Sequence, residues 1–279
     1  MDSGERTILI EVFSEQAENY DAKVPFFTPL ATDLVELADV GPGQRVLDIG
    51  CGRGAVLFQA AERVGPDGSV VGIDIAPGMV TATAADIRRR GLDHVSVALM
   101  DGQQPDFEPN SFDHVLGSMS IIMVPGLDRA FRHYRTLLRE GGTLGFTGPA
   151  IDADPLDWRM GPFHLKRFLA EALPNLNVAD IADHLDVFGK IEPDRMIASL
   201  QAAGYRNPRA VDVTTVVRAE TARDLVAWTF THGARLFWNM VDEPRRSEYA
   251  RQWIERIEAE FPDGSPEYPT INRVFLADR

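Results

Sequence analysis

The chain of 279 residues contains a single cysteine, Cys51. An internal disulfide needs two, so no covalent framework holds this fold, and a lone thiol fits a reducing compartment. Positive charge is also scarce: 28 Lys and Arg stand against 42 Asp and Glu, a formal net charge of −14. A nucleic-acid surface needs a basic stripe, so that class of partner is excluded, while the acidic excess favours solubility and mildly attracts cationic ligands. No uninterrupted apolar run reaches the length of a membrane span. The opening Met1-Asp2-Ser3-Gly4-Glu5-Arg6 has neither a basic n-region nor an apolar h-region, and a cytoplasmic protein with no membrane partner is expected. Internal repeats and low-complexity segments are missing too. What remains is an ordinary globular composition, 44% hydrophobic and 25% charged, whose length suits one large α/β domain with appendages, or at most two units.

What is present is organised around Arg45 to Gly54. The apolar run Val46-Leu47-Asp48-Ile49 reads as a buried strand, and Gly50-Cys51-Gly52-Arg53-Gly54 turns it into a helix. Alternating glycines permit positive φ and let a ligand approach bare backbone. The helix, beginning near Gly54 or Ala55, turns Val56, Leu57, Ala60, Ala61 and Val64 to the sheet and leaves its first N–H groups facing whatever lies over the strand end. A nucleotide-like ligand is expected there. Gly50 to Ala55 is compatible with the G-x-G-x-x-A of a dinucleotide site. Asp48, two residues earlier, would set its negative charge against a pyrophosphate and instead suits a ligand with a cationic centre. A capping or turn role for Asp48 is the plainer alternative.

The stretch D-I-G-C-G-R-G, Asp48 to Gly54, resembles the first motif of class I methyltransferases dependent on S-adenosyl-L-methionine (SAM). Within them the chain is similar to small-molecule enzymes of the ubiquinone/menaquinone-biosynthesis type and their natural-product tailoring relatives. The likeness is strong over about Phe13 to Gly148. It implies SAM as cofactor and four markers along the chain. Asp74 ends the strand Val70-Val71-Gly72-Ile73 and would accept both ribose hydroxyls, an acid that serves NAD equally. Ile75 and Met79 would touch the adenine, unless they only pack the start of the helix Pro77 to Arg90. Asp101, after the strand Val95 to Leu99, matches the acid that binds the exocyclic amine, with Gly102 and Gln103 beside it. The strand Ser111 to Gly117 leads into Ser118, Met119, Ser120, Ile121 and Ile122, over the methyl-donor end in the family arrangement. Cofactor contacts are thus expected from Tyr20, Asp48, Gly50, Cys51, Gly52, Asp74, Ile75, Met79, Asp101, Gly102, Gln103, Ser118 and Met119.

Two absences bear on chemistry. No Asp stands at the end of the fourth strand, so a Mg²⁺ site of the catechol type has no obvious ligands and no metal is expected. No Asn/Asp-Pro-Pro-Tyr follows, which argues against methylation of nucleic-acid or protein amino groups. Many relatives place a histidine after this strand, where this chain has Ile121 and Ile122.

Before the core, Leu9, Val12, Phe13, Ala17 and Tyr20 recur at helical spacing, and Thr28-Pro29 reads as an N-cap and N1 proline opening a helix through Leu30, Leu34, Leu37 and Ala38. The link between them carries Tyr20, Phe26 and Phe27, which the resemblance puts at the substrate mouth; core anchoring is the alternative. After it, Leu127 to Leu138 reads as a helix with His133 solvated on its flank, and Gly141-Gly142 starts a fifth strand, Thr143 to Gly148. Strands alternating with helices predict a parallel sheet covered on both faces. Beyond Gly148 come a loop from Asp152 to Pro162, helical patterns around Leu165 to Ala172, Val178 to Phe188 and Met196 to Ala203, and strands Val211 to Val217 and Ile271 to Leu276. The resemblance makes the last strand antiparallel. The fold class is therefore α/β, a Rossmann-like, seven-stranded, mostly parallel sheet with helices on both faces and helical lid inserts. The units of this one domain are 1–44 over the cofactor site, 45–150 as the SAM-binding core, 151–207 as a helical insert with its return helix, and 208–279 as the final strands.

That last unit carries an insert, about 221–261, far longer than a hairpin. Thr221-Ala222-Arg223-Asp224 resembles a capping box and opens a helix apolar nearly all round: Leu225, Val226, Trp228, Phe230, Leu236, Phe237, Trp238. His232 shares a face of it with Leu225, Trp228 and Leu236, and a lone histidine there is either simply satisfied or a contact to substrate. His164 is the other candidate base or substrate contact, while His94 and His114 read as structural. Phe26, Phe27, Ile122, Phe163, Trp228 and Trp238 are the expected substrate-side residues. The expected activity is methyl transfer to O, N or C of a small apolar or aromatic metabolite of secondary metabolism, by a monomer or homodimer. The alternatives are a nicotinamide-dependent oxidoreductase and a SAM-binding cyclase or binding protein that transfers no methyl.

Overall fold

Strand β1 (Arg45–Ile49) buries Val46, Leu47, Asp48 and Ile49 in succession, the mark of a central strand covered on both faces. In a computed structural model that describes residues 3–20, 23–150, 159–160, 162–175 and 192–279, it lies at the middle of a seven-stranded sheet. The others are β2 (Ser69–Asp74), β3 (Val95–Leu99), β4 (Phe112–Ser118), β5 (Leu138–Pro149), β8 (Arg206–Arg218) and β9 (Glu267–Asp278), in the order β3-β2-β1-β4-β5-β9-β8. Strands β1 to β5 pair in parallel, and β9 runs antiparallel between β5 and β8. The Rossmann-like architecture with an antiparallel last strand is therefore the one expected. Strand order reverses at β1, which opens a crevice beyond the carboxyl ends of β1 and β4.

Helices α2 (Phe27–Leu37) and α3 (Ala55–Val64) cover one face, where Leu34, Val46, Leu57, Val70 and Leu116 form one buried cluster. On the other, α5 (Leu127–Leu137) turns Phe131 and Tyr134 onto Phe112, Val115 and Phe146. Helix α1 (Ser3–Gln16) packs on α4 (Pro77–Arg90). The insert side holds a two-residue hairpin, β6 (Arg159–Met160) with β7 (Phe163–His164), then α6 (Leu165–Ala172) and α7 (Pro193–Ala202).

Several boundaries differ from the sequence expectation. Helix α1 stops at Gln16, so Ala17 and Tyr20 lie in the turn that follows. Thr28 is not the cap of α2. Phe26 precedes the helix with helical angles and no side-chain cap, because burial of Phe26 and Phe27 pulls the start back. Pro29 still falls in the first turn, where its missing N–H costs nothing. Strand β5 begins at Leu138, opposite Phe112, and absorbs Gly141 (φ +78°) as an irregularity. Strands β8 and β9 extend each other along a ladder from Arg206–Asp278 to Arg218–Glu267.

The predicted long helix of the second insert is broken into α8 (Ala222–Trp228) and α9 (Arg235–Asn239), followed by α10 (Glu243–Glu260). Hydroxyls end the first piece: Thr229 Oγ1 donates to the Val226 carbonyl at 2.6 Å and Thr231 Oγ1 to the Trp228 carbonyl at 2.8 Å. Thr221 does cap α8, accepting the Asp224 N–H at 3.1 Å. The helical pattern Val178 to Phe188 and the loop residues 152–158 lie outside the described residues. Among the described residues no helix is long and apolar enough to cross a membrane.

Candidate functional site

The site grows from the turn between β1 and α3. Gly50 has φ +65°, and a Cβ there would stand 2.6 Å from Ser120 Cβ, so glycine is required by both backbone and space. Gly52 has φ +49° and nothing of the protein within 4 Å of its missing Cβ, which leaves bare backbone open to a ligand. The loop is closed on the end of β2: the Cys51 N–H donates to the Ile73 carbonyl at 2.9 Å, and the Gly52 N–H to Asp74 Oδ2 at 2.8 Å. The Ala76 N–H holds Asp74 Oδ1 at 2.9 Å. Each oxygen keeps a lone pair for a further donor. Burial raises the Asp74 pKa against the pull of those backbone N–H groups.

Asp48 is the unusual group. It is 1% exposed, and among the described residues neither oxygen has a hydrogen-bond partner. Burial pushes its carboxyl up to about 8, reinforced by the charge of Asp74 and opposed by the Leu57 N–H of α3, which points toward it without closing a full hydrogen bond. A buried acid in this state gains most from a cation placed beside it. Burial, then Asp48 and Asp74, also hold the Cys51 thiol well above its ordinary value, so Cys51 is no nucleophile.

At the far end of the cleft, Asp101 accepts the Gln103 N–H at 2.9 Å and pairs with Arg6 of α1 at 2.5 Å. The Tyr134 hydroxyl donates to the Gly102 carbonyl behind it. Arg53 ties the other end of the N-terminal segment, donating to the Ala17 carbonyl and pairing with Asp86 at 2.7 Å. The floor between is set by β4: Thr147 Oγ1 meets Ser118 Oγ at 2.9 Å and accepts the Met119 N–H at 3.0 Å, holding Met119 at φ +55°.

Two cavities, of about 390 and 130 Å³, meet at Tyr20, Gly50, Gly52 and Ser118. The larger is lined by Asp48, Cys51 and Phe27, and the smaller by Asp74, Ile75, Met79, Asp101, Gly102 and Met119. Of the expected cofactor residues only Gln103 lines neither; it contributes its backbone N–H to Asp101. Arg6, Ile10 and Phe13 of α1 also line the smaller cavity, as do Ser120, Met123 and Val124. Of these only Ser120 was expected near the site, although positions 6, 10 and 13 share a helix face.

The expected substrate residues separate into two groups. Phe27 lines the larger cavity, stacked on Tyr20 at 4.8 Å, with Phe26 and Trp228 behind it at 5.1 and 6.3 Å. Ile122 is buried in the same large core cluster and lines neither cavity. Phe163 and Trp238 sit elsewhere, fully buried among Phe168, Tyr249 and Trp253, and touch neither cavity. Their size drew them into an aromatic core rather than a pocket wall.

The histidines divide likewise. His164 caps α6, its Nδ1 accepting the Arg167 N–H at 3.3 Å. His133 is not simply solvated: its Nε2 meets the Pro105 carbonyl at 2.7 Å. His94 and His114 make structural contacts to the Ala61 carbonyl and to Gln44. His232 lies in the turn between α8 and α9 rather than on a helix face, 2% exposed and 4.3 Å from the Trp228 ring. Among the described residues no group of three metal-ligating side chains occurs.

An open glycine backbone, an unpaired buried carboxylate and two further acids along one cleft fit a nucleoside carrying a cationic centre. Residues 46–142 match the family described as a methyltransferase domain. The chain is 42% identical to a nocamycin O-methyltransferase of Saccharothrix syringae, over 91% of this chain and 92% of that protein. It is 44% identical to the aklanonic acid methyltransferase DauC of Streptomyces sp. (strain C5), over 54% of this chain and 70% of that one. Among solved structures, a phosphoethanolamine N-methyltransferase 2 of Haemonchus contortus, in complex with phosphomonomethylethanolamine and S-adenosylhomocysteine, shares the fold. Its TM-score is 0.57 at 16% identity, covering 90% of this chain and 52% of that one.

Proposed function

The chain belongs to the class I SAM-dependent small-molecule methyltransferases, and from that premise we propose that it methylates an oxygen of a small, largely apolar or aromatic natural-product acceptor. The observation that carries this reading is the empty-handed carboxylate of Asp48 beside the open backbone of Gly52. It supports Asp48 facing the positive end of the cofactor, with Asp74 accepting the ribose hydroxyls and Asp101 the adenine amine. Ile75 and Met79 would flank the ring. The nocamycin relative supports oxygen as the methylated atom and a tailoring pathway as the setting.

When bound, SAM supplies a methyl group activated on a sulfonium. The chain's part is alignment and exclusion of water. Gly52 lets the ligand seat against backbone while Gly50 makes room for Ser120, Thr147 holds Ser118 and Met119 under the reacting end, and Tyr20 stacked on Phe27 walls that end from solvent. The lid proposed over the acceptor is the insert of α8, α9 and α10, which meets the N-terminal segment where Thr231 Oγ1 donates to the Tyr20 carbonyl at 3.2 Å. The lone free Cys51 agrees with work in a cytoplasmic, reducing setting.

Incubation of purified protein with methyl-labelled SAM and a panel of aromatic hydroxy and carboxylic acids tests the reading. Label recovered in an O-methyl product supports it. Label only in N- or C-methyl products, or protein that binds neither SAM nor S-adenosylhomocysteine (SAH), overturns it.

A further inference from the structure

Behind the cavity wall, two ring N–H groups have no partner among the described residues. The Ala234 N–H donates to His232 Nδ1 at 3.3 Å. A backbone N–H can only donate, so Nδ1 carries no proton and the neutral ring bears its proton on Nε2. Burial alone holds the ring neutral, with a pKa of about 3. His232 therefore presents an N–H, not a lone pair, and among the described residues that Nε2 has no partner. The indole Nε1–H of Trp228, whose ring lies 4.3 Å away, is buried and unpartnered as well.

The pair contrasts with its surroundings. In the same insert, Trp238 Nε1 donates to Thr229 Oγ1 at 2.9 Å, and the Tyr249 hydroxyl donates to Glu171 at 3.0 Å. Among the described residues, the insert's buried side-chain donors have partners except for the two next to Phe27, which packs 6.1 Å from His232 and 6.3 Å from Trp228 while lining the larger cavity. Buried donors without acceptors are costly and rare in a finished fold. Neither ring lines a cavity itself, so an acceptor atom would reach these two donors past Phe27.

We propose that His232 Nε2–H and Trp228 Nε1–H together receive a carbonyl or carboxylate oxygen of the methyl acceptor, with His232 a positioning donor and not a general base. The proposal rests on the methyltransferase reading and adds to it the group by which the acceptor is held. A hydroxyl that itself needs a partner for its proton fits this pair less well than an oxygen that only accepts.

The test is a ¹⁵N-resolved NMR titration of the full chain loaded with SAH. Long-range ¹H–¹⁵N spectra are expected to show His232 in its Nε2–H tautomer. Adding 2-naphthoate (a carboxylate) or 2-acetonaphthone (a carbonyl) should shift both N–H signals, and naphthalene should not; the first two arms separate the two oxygen types. Trp228→Phe and His232→Phe should each weaken the responding probe about tenfold, and His232→Gln, which keeps an N–H, should retain most of its binding. SAH binding should be unchanged in all three variants. An Nδ1–H tautomer, or no movement of either N–H with either oxygen probe, overturns the proposal. Loss of SAH binding by the unmodified chain would instead overturn the methyltransferase reading.

Discussion

Arg6 of the first helix reaches across 95 positions of chain to Asp101 and closes on it at 2.5 Å, over the end of the cleft where the adenine amine is proposed to bind. The pair is partly exposed, with side chains 31% and 42% accessible, so it contributes little to stability. Arg6→Gln is expected to lower the thermal midpoint by no more than about 2 °C and to change SAH affinity less than threefold. Asp101→Ala removes the proposed acceptor of the adenine amine and should weaken SAH about tenfold, the size of one charge-assisted hydrogen bond. Calorimetric titration with SAH checks both.

Gly50 and Gly52 share a left-handed backbone but differ in what surrounds them. Gly50→Ala drives a Cβ to within 2.6 Å of Ser120 and should cost about 2–4 kcal/mol of stability in denaturant unfolding, from strain plus overpacking. Gly52→Ala meets no protein atom and should cost only about 1–2 kcal/mol, the left-handed penalty, yet abolish measurable SAH binding because its methyl points into the space proposed for the ligand. Equal loss of binding per unit of lost stability in the two variants would show that Gly52 acts only through the fold.

Trp238 and Phe163 belong to the sealed aromatic cluster, and their replacement should separate core from site. Phe163→Ala is expected to destabilise by about 3–5 kcal/mol, and Trp238→Phe by about 1–3 kcal/mol for the lost bond to Thr229. At temperatures where both variants are folded, SAH affinity should match the unmodified chain. A specific loss of affinity would move these rings back to the cleft.

The strands and the glycine turn were legible because the signals are local: Val46 to Ile49 is a short apolar run, and Gly50, Gly52 and Gly54 all take positive φ. Asp74 and Asp101 were legible for the same reason, each sitting at or just beyond a strand end. What could not be read was direction in space. Phe27 and Phe163 are both large and buried, and only the tertiary structure puts one at the cavity and the other under α10. Arg6 and Ile10 gave no local sign of the site, and Phe13 read only as part of a helical stripe, because the cleft they cover is built from distant chain, Asp101 lying 95 positions from Arg6. The break between α8 and α9 was hidden by apolar residues on both sides of it; Thr229, Thr231 and Gly233 were the available warning.

The central claim is that Asp48 faces the cationic part of the bound ligand, and its pH behaviour tests that directly. Its carboxyl sits at about 8 in the ligand-free fold, raised from 3.8, so the folded state holds a proton that the unfolded state has lost between those values. Stability from this group is full below about pH 4, falls as pH rises, and levels off above about pH 8. Asp48→Asn removes the decline and should leave the variant relatively more stable at alkaline pH. Ligand binding runs the opposite way, because the ionised carboxylate is the form that attracts a cation, here the ammonium group that SAH keeps after the sulfonium is lost. The measurement is a calorimetric titration of the unmodified chain and Asp48→Asn with SAH at pH 6.0 and pH 8.5. The account predicts affinity that rises about tenfold or more with pH in the unmodified chain, and weak, pH-independent binding in the variant. Equal affinity of the two proteins at pH 8.5 would contradict it.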